Sequence, residues 1–131
     1  MRKYKFRYVF KHKKDGDCQY LFFTIEEIEN GYAKEMIYAM KQDGYTLVDR
    51  NEFTGLKDKN GKQIYEGDVL INPKDIRGEI KYVPEYAAFL AYWKHDGECG
   101  YDYLDKGILM KCEVIGNIYE NPELLKGDED E

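Results

Sequence analysis

The sequence is poor in the residues on which much enzyme chemistry depends, with two histidines and three cysteines in 131 residues. Cys18, Cys99 and Cys112 are odd in number and form no Cys-x-x-Cys pair, which argues against a disulfide framework and a zinc ribbon. We expect three reduced thiols. His95 begins the sole cluster of metal-ligand residue types, which falls on an Asp-Gly turn without partner ligands elsewhere. The sequence therefore predicts no metal, no cofactor and no catalytic residue.

Long apolar runs are also absent. No stretch approaches the roughly 18 consecutive apolar residues that a membrane helix needs, and the N-terminus lacks the apolar segment and cleavage site of a signal peptide. These absences predict a cytoplasmic protein without a membrane partner. With 43% hydrophobic and 35% charged residues, the composition is that of a globular protein.

The charge is unevenly distributed. The whole chain carries −6, yet residues 1–14 contain seven cationic residues and no acidic one. The opposite end is acidic, and we expect residues 127–131 to form a solvated, disordered tail. The cations most regularly spaced along the first predicted strand are Lys3, Lys5, Arg7 and Lys11.

The first part of the chain, residues 1–52, reads as a small α+β subdomain. Aromatic residues alternate with cations from Tyr4 to Phe10, the period of a half-buried strand, and a turn leads to a second strand over Cys18 to Phe23. Thr24 and Glu27 fit a capping box. The helix that follows has one apolar stripe and an interruption at Gly31, and a third strand covers Tyr45 to Phe53. The predicted order is ββαβ.

The second part, residues 53–126, reads as short antiparallel strands. An Asn60-Gly61 pair predicts a type I′ hairpin turn that joins a strand over Phe53–Asp58 to another over Gln63–Tyr65. Five further strand candidates follow, separated by turn signals, and this spacing predicts a small barrel or sandwich. Gly67-Asp68-Val69 with Arg77-Gly78-Glu79-Ile80 resembles the opening strands of SH3-like barrels. Asn121-Pro122 predicts one closing helical turn. The strand candidates are Gly67–Asn72, Arg77–Val83, Tyr86–Trp93, Cys99–Leu104 and Lys111–Ile118.

Three acidic residues, Asp58, Glu66 and Asp68, lie close together in sequence and would suit acid–base chemistry if they converged. Each also lies at a predicted turn, where a short acidic side chain accepts hydrogen bonds from nearby backbone amides. We favour this structural role. The sequence thus predicts a protein that is not an enzyme.

Two long segments are similar to a known family. Phe53 to Val69 reads FTGLKDKNGKQIYEGDV and Glu113 to Leu125 reads EVIGNIYENPELL. Both segments, with the opening Arg2 to Arg7, resemble the signatures of the YopX family of phage and prophage proteins. The resemblance implies prophage origin, a bacterial host cytoplasm and an SH3-like barrel half. It brings no established activity and no catalytic residue.

The first functional hypothesis is a protein-interaction module that associates with itself or with a host or phage protein. Nineteen tyrosines and phenylalanines, with one tryptophan, exceed what a small two-layer core must hold, and exposed Tyr and Trp are favoured at interfaces. The same side chains could instead fill the core. The candidate interface residues are Tyr86, Phe89, Tyr92, Trp93, Tyr101 and Tyr103.

The second hypothesis is a nucleic-acid-binding accessory or regulatory protein. Lys3, Lys5, Arg7 and Lys11 would project from one strand face as a basic stripe. The overall acidity of the chain repels phosphates. The alternative structural role is pairing of these cations with Asp49 or Glu52 on a neighbouring strand.

Overall fold

A computed structural model describes residues 4–125 of the chain. Strand accounts for 50% and helix for 22% of the structure. The strands form two antiparallel sheets. Backbone contacts divide the chain into two compact units, Met1–Phe53 and Thr54–Glu131. The acidic segment 127–131 and Lys3 lie outside the described residues.

The first unit is built on an antiparallel hairpin, as predicted. β1 pairs on one side with β2 and on the other with β3. Two helices lie in sequence between β2 and β3. The elements are β1 (Lys5–His12), β2 (Cys18–Thr24), α1 (Ile25–Glu29), α2 (Tyr32–Gln42) and β3 (Tyr45–Lys57).

The helical segment begins with the predicted capping box. The Thr24 hydroxyl accepts a hydrogen bond from the Glu27 amide, and the Glu27 carboxylate accepts one from the Thr24 amide. The expected interruption is a complete break, because Gly31 adopts φ of 90°, which only glycine adopts readily. One interrupted helix is therefore two helices, and the order is ββααβ.

The core of this unit lies between the helices and one face of the hairpin. Tyr8, Phe10 and Phe23 from the hairpin and Ala33 from α2 are buried together. The Tyr8 and Phe23 rings meet edge to face with centroids 5.1 Å apart. The period-2 pattern of β1 therefore correctly placed Tyr8 and Phe10 toward the helices, but the strand is not half-buried as expected, because Arg7 and Val9 on the other face are buried too.

β3 is longer than the sequence indicated. Its 13 residues continue past Phe53, where two separate strands were predicted, and its last residues pair with β4 (Gln63–Tyr65). The Thr54 hydroxyl donates to the Ile64 carbonyl at 2.8 Å in this pairing. The strand therefore runs without a break through Phe53, where the first compact unit of the chain ends and the second begins.

The second unit contains a five-stranded antiparallel sheet in the order β8-β7-β6-β5-β9. Within residues 4–125 no closed barrel is detected. The buried residues Ile64, Leu70, Ile80 and Ala91 form its core with others near the C-terminus, and Trp93 packs against them. The strands are β5 (Asp68–Ile71), β6 (Arg77–Val83), β7 (Ala88–His95), β8 (Glu98–Tyr103) and β9 (Glu113–Asn117).

Short helical segments join or follow these strands. A 3-10 turn, Pro84–Tyr86, connects β6 and β7, and another, Pro122–Leu125, is the closing turn that was predicted. α3 (Lys106–Leu109) was not predicted. The Asp105 carboxylate caps it by accepting from the Gly107 amide at 2.7 Å, a signal that was present in the sequence.

The two-residue type I′ turn lies elsewhere than expected. Asp96 (φ 51°) and Gly97 (φ 80°) both have positive φ and join β7 to β8. At the predicted site Gly61 has φ of 78°, whereas Asn60 is not in the positive-φ region. A type I′ turn needs positive φ at both central residues, so the turn type expected for Asn60-Gly61 was wrong, although the turn does join β3 to β4 as predicted.

Candidate interaction surface

The outer edge of the five-stranded sheet is the most exposed strand among the described elements. All six residues of β8 are exposed, and β7 is the single strand with which β8 pairs within residues 4–125. The sequence of this strand, ECGYDY, explains the exposure, since it contains no aliphatic residue that could enter a core. An edge strand presents unpaired backbone donors and acceptors.

Tyrosine rings line one face of this edge, which we call the tyrosine face, formed by Tyr86, Tyr92, Tyr101 and Tyr103. Tyr92 lies opposite Tyr101 across β7 and β8, with ring centroids 4.8 Å apart. Tyr103 is 69% exposed and its ring lies 6.5 Å from that of Tyr86, which is 58% exposed. The two ring pairs lie along the same face of β8, and Tyr86, Tyr101 and Tyr103 are exposed there.

Charged groups border the tyrosine face on the β6 side. The Lys81 ammonium lies 4.6 Å from the centroid of the Tyr92 ring and 3.9 Å from the Glu79 carboxylate. Burial raises the pKa of Glu79, and the Lys81 charge opposes that rise. A hydrogen bond with the Cys99 side chain, then burial, raises the pKa of Tyr92. The tyrosine face is thus bordered on one side by the Lys81 ammonium, which contacts both the Tyr92 ring and the Glu79 carboxylate.

The six predicted interface residues do not form one surface. Trp93 lies opposite Gly78 on the other face of the sheet, packed against the core. Phe89 shares that face and its ring meets Tyr82 at 5.2 Å. Tyr82 is 45% exposed and was missed, although its pairing with Phe89 follows from the β6–β7 register. Tyr86, Tyr92, Tyr101 and Tyr103 are the candidates that lie together.

The opposite edge of the same sheet is protected. The Asp58 carboxylate accepts a hydrogen bond from the Val114 amide on β9 at 2.9 Å. The neighbouring Lys59 amide donates to the carbonyl of Cys112, just before β9, at 3.0 Å. The turn between β3 and β4 therefore covers β9, and the β8 edge is the one left open to solvent.

The side chains of the predicted basic stripe are partly buried. Arg7 is 6% exposed, its Nε donates to the Asn51 side chain at 2.9 Å, and its guanidinium lies 5.6 Å from the centroid of the Tyr20 ring. The Lys5 ammonium lies 5.9 Å from the centroid of the Phe22 ring, and both Lys5 and Lys11 are half-buried. Arg7 therefore contributes to the packing of this face through its contacts with Asn51 and Tyr20.

Two of the three acidic residues, Asp58 and Asp68, have the structural role that was favoured for them. Asp58 and Asp68 are almost completely buried, at 2% and 1% exposure. Asp58 accepts from the amides of Asn60 and Lys62, both at 2.9 Å, in addition to Val114, and Asp68 accepts from the Tyr65 amide at 2.8 Å. Both carboxylates therefore serve as hydrogen-bond acceptors for backbone amides.

Neither the histidines nor the cysteines gather into a reactive group. His95 contacts Asp96 at 3.1 Å on an exposed turn, and among residues 4–125 no three His, Cys, Asp or Glu side chains are placed to hold a metal ion. All three cysteines are free thiols, as expected. Burial, then the Asp58 charge, raises the pKa of the Cys112 thiol, which keeps it protonated.

Two surface grooves accompany these features. One of about 320 Å³ lies in the first unit and is lined by Tyr8, Ile37 and neighbouring residues of the helices. The other, of about 520 Å³, lies in the second unit between Trp93, Ile108 and Lys111. Both are mainly apolar, and two lysines are among the lining residues of each. No helix among the described residues is long and apolar enough to span a membrane.

The fold and this surface define a small α+β protein with two antiparallel sheets and a tyrosine-lined open edge. The sequence matches the family model described as "YopX protein" over residues 4–126, so the chain belongs to the YopX family. This confirms the resemblance found in its two signature segments. Among solved structures, the chain is similar to protein EF1440 from Enterococcus faecalis, with 27% identity over 91% of this chain and 75% of the other and a TM-score of 0.33. No curated protein matches it.

Proposed function

We propose that this protein is a non-enzymatic, prophage-encoded accessory of the bacterial host cytoplasm, and that it acts as a protein-interaction module through the β8 edge and its tyrosine face. The observation that carries the proposal is the full exposure of all six β8 residues. The free thiols suit a reducing compartment. We also assign the five-stranded half to the SH3-like class, on the strength of its family membership and its strand sequence.

The chemistry of the edge suits another polypeptide as the partner. An extended segment that adds to β8 would pair with its backbone groups, while side chains on alternate positions contact the tyrosine face. Tyrosine is enriched at such interfaces because a large rigid ring contributes contact area and a hydroxyl contributes a hydrogen bond. Natural edge strands are commonly blunted by lysine or proline, and β8 contains neither.

Photo-crosslinking tests the proposed surface. A benzophenone amino acid replaces Tyr103 (69% exposed) in one variant and Tyr38 (65% exposed, on α2) in the other. Because the two positions are matched in residue type and exposure, only the local surface differs. We expect discrete adducts several-fold stronger from position 103 in the host cytoplasm. Equal labelling from both positions, or none from position 103, would contradict the proposal.

Nucleic-acid binding stays a second candidate, because Lys5 and Lys11 flank Arg7 on one face of β1. Its test should leave Arg7 unchanged, since Arg7→Glu would bury a carboxylate among groups arranged for a cation. We expect the parent protein to retard DNA or RNA at low salt, and Lys5→Glu with Lys11→Glu to weaken this about tenfold. Absence of any retardation by the parent protein removes this candidate.

A further inference from the structure

We propose that β8 pairs with β8 of a second copy, antiparallel and about a two-fold axis at Tyr101, to form one continuous sheet through both molecules. This inference rests on the proposed function, since it names the partner that the open edge binds. It goes further by specifying the register. Three features of β8 support it: the direction of its backbone groups, the position of its charges and the side on which its tyrosines lie.

The direction of the backbone groups follows from the hairpin. In the two-residue turn at Asp96-Gly97, the flanking pair His95 and Glu98 is the hydrogen-bonded pair. The β7–β8 register is regular from this pair onward, so hydrogen-bonded positions alternate along β8. Glu98, Gly100 and Asp102 therefore direct their amides and carbonyls toward β7.

The remaining residues of β8 direct their backbone amides and carbonyls away from β7. Cys99, Tyr101 and Tyr103 present their amides and carbonyls at the open edge. If Tyr101 faces Tyr101 of a second antiparallel strand, Cys99 faces Tyr103 and Tyr103 faces Cys99. All three outward residues then form hydrogen-bonded pairs, each exchanging two bonds. No other two-fold register satisfies all of them, because a shift leaves at least one outward residue without a partner within β8.

The charges favour the same register. With the axis at Tyr101, Asp102 lies opposite Gly100 of the second copy. Glu98 lies opposite Leu104 of the second copy, which follows the last residue of β8. An axis at Gly100 would instead place Glu98 opposite Asp102, and an axis at Asp102 would place two Asp102 side chains opposite each other. Like charges directly opposite one another are destabilising. The register with the most hydrogen bonds is thus the one in which no like charges lie directly opposite one another.

The tyrosines complete the contact. Cys99, Tyr101 and Tyr103 project on the tyrosine face, where Tyr101 already lies beside Tyr92. In the proposed pair, Tyr92 and Tyr101 of one copy continue into Tyr101 and Tyr92 of the other, a row of four rings. Aromatic cross-strand pairs stabilise sheets. A six-residue strand buries less than a standard interface, so we expect a weak, reversible dimer.

A pair of cysteines tests the register. In a Cys18→Ser background, Tyr103→Cys places a thiol directly opposite the native Cys99 of the second copy, about 5.5 Å between Cα atoms, within disulfide range. Within one chain the two positions are about 13 Å apart along the strand and cannot bond. We expect oxidation to give a covalent dimer only when both cysteines are present. Cys99 alone, and Tyr103→Cys with Cys99→Ser, should give no covalent dimer.

Sedimentation of the chain without oxidant provides the second measurement, at about 10 µM to 1 mM, the range for a weak interaction. Tyr101→Pro removes an outward amide at an edge position and should abolish the dimer, whereas Tyr101→Phe keeps the amide and should retain it. A parent protein that stays monomeric throughout, with no disulfide from the cysteine pair, overturns the pairing. If position 103 still crosslinks a different protein, only this inference fails. If it crosslinks nothing, the proposed function fails as well.

Discussion

Replacing Asp58 with alanine is expected to lower the free energy of unfolding of the second unit by about 3–5 kcal/mol. The buried carboxylate accepts hydrogen bonds from three backbone amides, two in the β3–β4 turn and that of Val114 on β9. Hydrogen bonds to an ionised group contribute about 1.5–3 kcal/mol each, and a buried amide left unpaired incurs its full desolvation cost. Chemical denaturation followed by circular dichroism measures the change.

Two further variants make this test specific. Asp58→Asn keeps the shape but has one carbonyl oxygen, so it should show an intermediate loss. Asp15→Ala provides the matched control, because Asp15 is exposed and accepts from the single amide of Asp17 at 2.9 Å. We expect its effect to be below about 1 kcal/mol. Equal effects of Asp58→Ala and Asp15→Ala would show that the carboxylate does not join the turn to β9.

Gly78→Ala should destabilise the same unit by about 2–3 kcal/mol, through overpacking. A Cβ at position 78 would lie 2.6 Å from the Trp93 ring, closer than real contacts allow. Trp93 packs against the core and is held between two neighbouring strands, so its ring has little room to move. Thermal unfolding would record a fall in melting temperature of several degrees.

The control for this substitution is also in the sheet. Gly100 faces Trp93 from the other neighbouring strand, yet a Cβ there meets no atom within 4 Å. Gly100→Ala should therefore change stability by less than about 0.5 kcal/mol. In a Trp93→Leu background the cost of Gly78→Ala should largely disappear. Its persistence there would show that the ring is not the cause.

The two family signature segments are explained by turns that hold the second unit together. In the first segment, Asp58 joins its own turn to β9. In the second, the Asn117 side chain accepts from the amides of Tyr119 and Glu120, both at 2.9 Å. A Cβ on Gly116 would lie 2.5 Å from the Asn121 side chain. In this chain both segments therefore contribute turns that support the second unit. The tyrosine face lies outside both segments.

Much of the local structure could be predicted because it depends on neighbours in sequence. Alternation of aromatic and charged residues predicted β1, and the Thr24-Glu27 spacing predicted the start of α1. β6 was predicted with its observed bounds. The length of β3 was missed because nothing in the sequence between its halves requires either continuity or a break. α3 was missed because a turn signal was preferred to the N-cap at Asp105.

The sequence by itself determined most strands of the two antiparallel sheets, the helix cap and the family, since each depends on short spacings or on contiguous motifs. Tertiary structure alone decided which side chains meet partners. Trp93 and Tyr92 are adjacent in sequence but lie on opposite faces, and the register with Gly78 placed the indole against the core. Pairing with Asn51, 44 residues away, buried Arg7 within a segment that reads as a basic surface. Strand order left β8 at an open edge, because pairing between distant strands depends on how the whole unit packs.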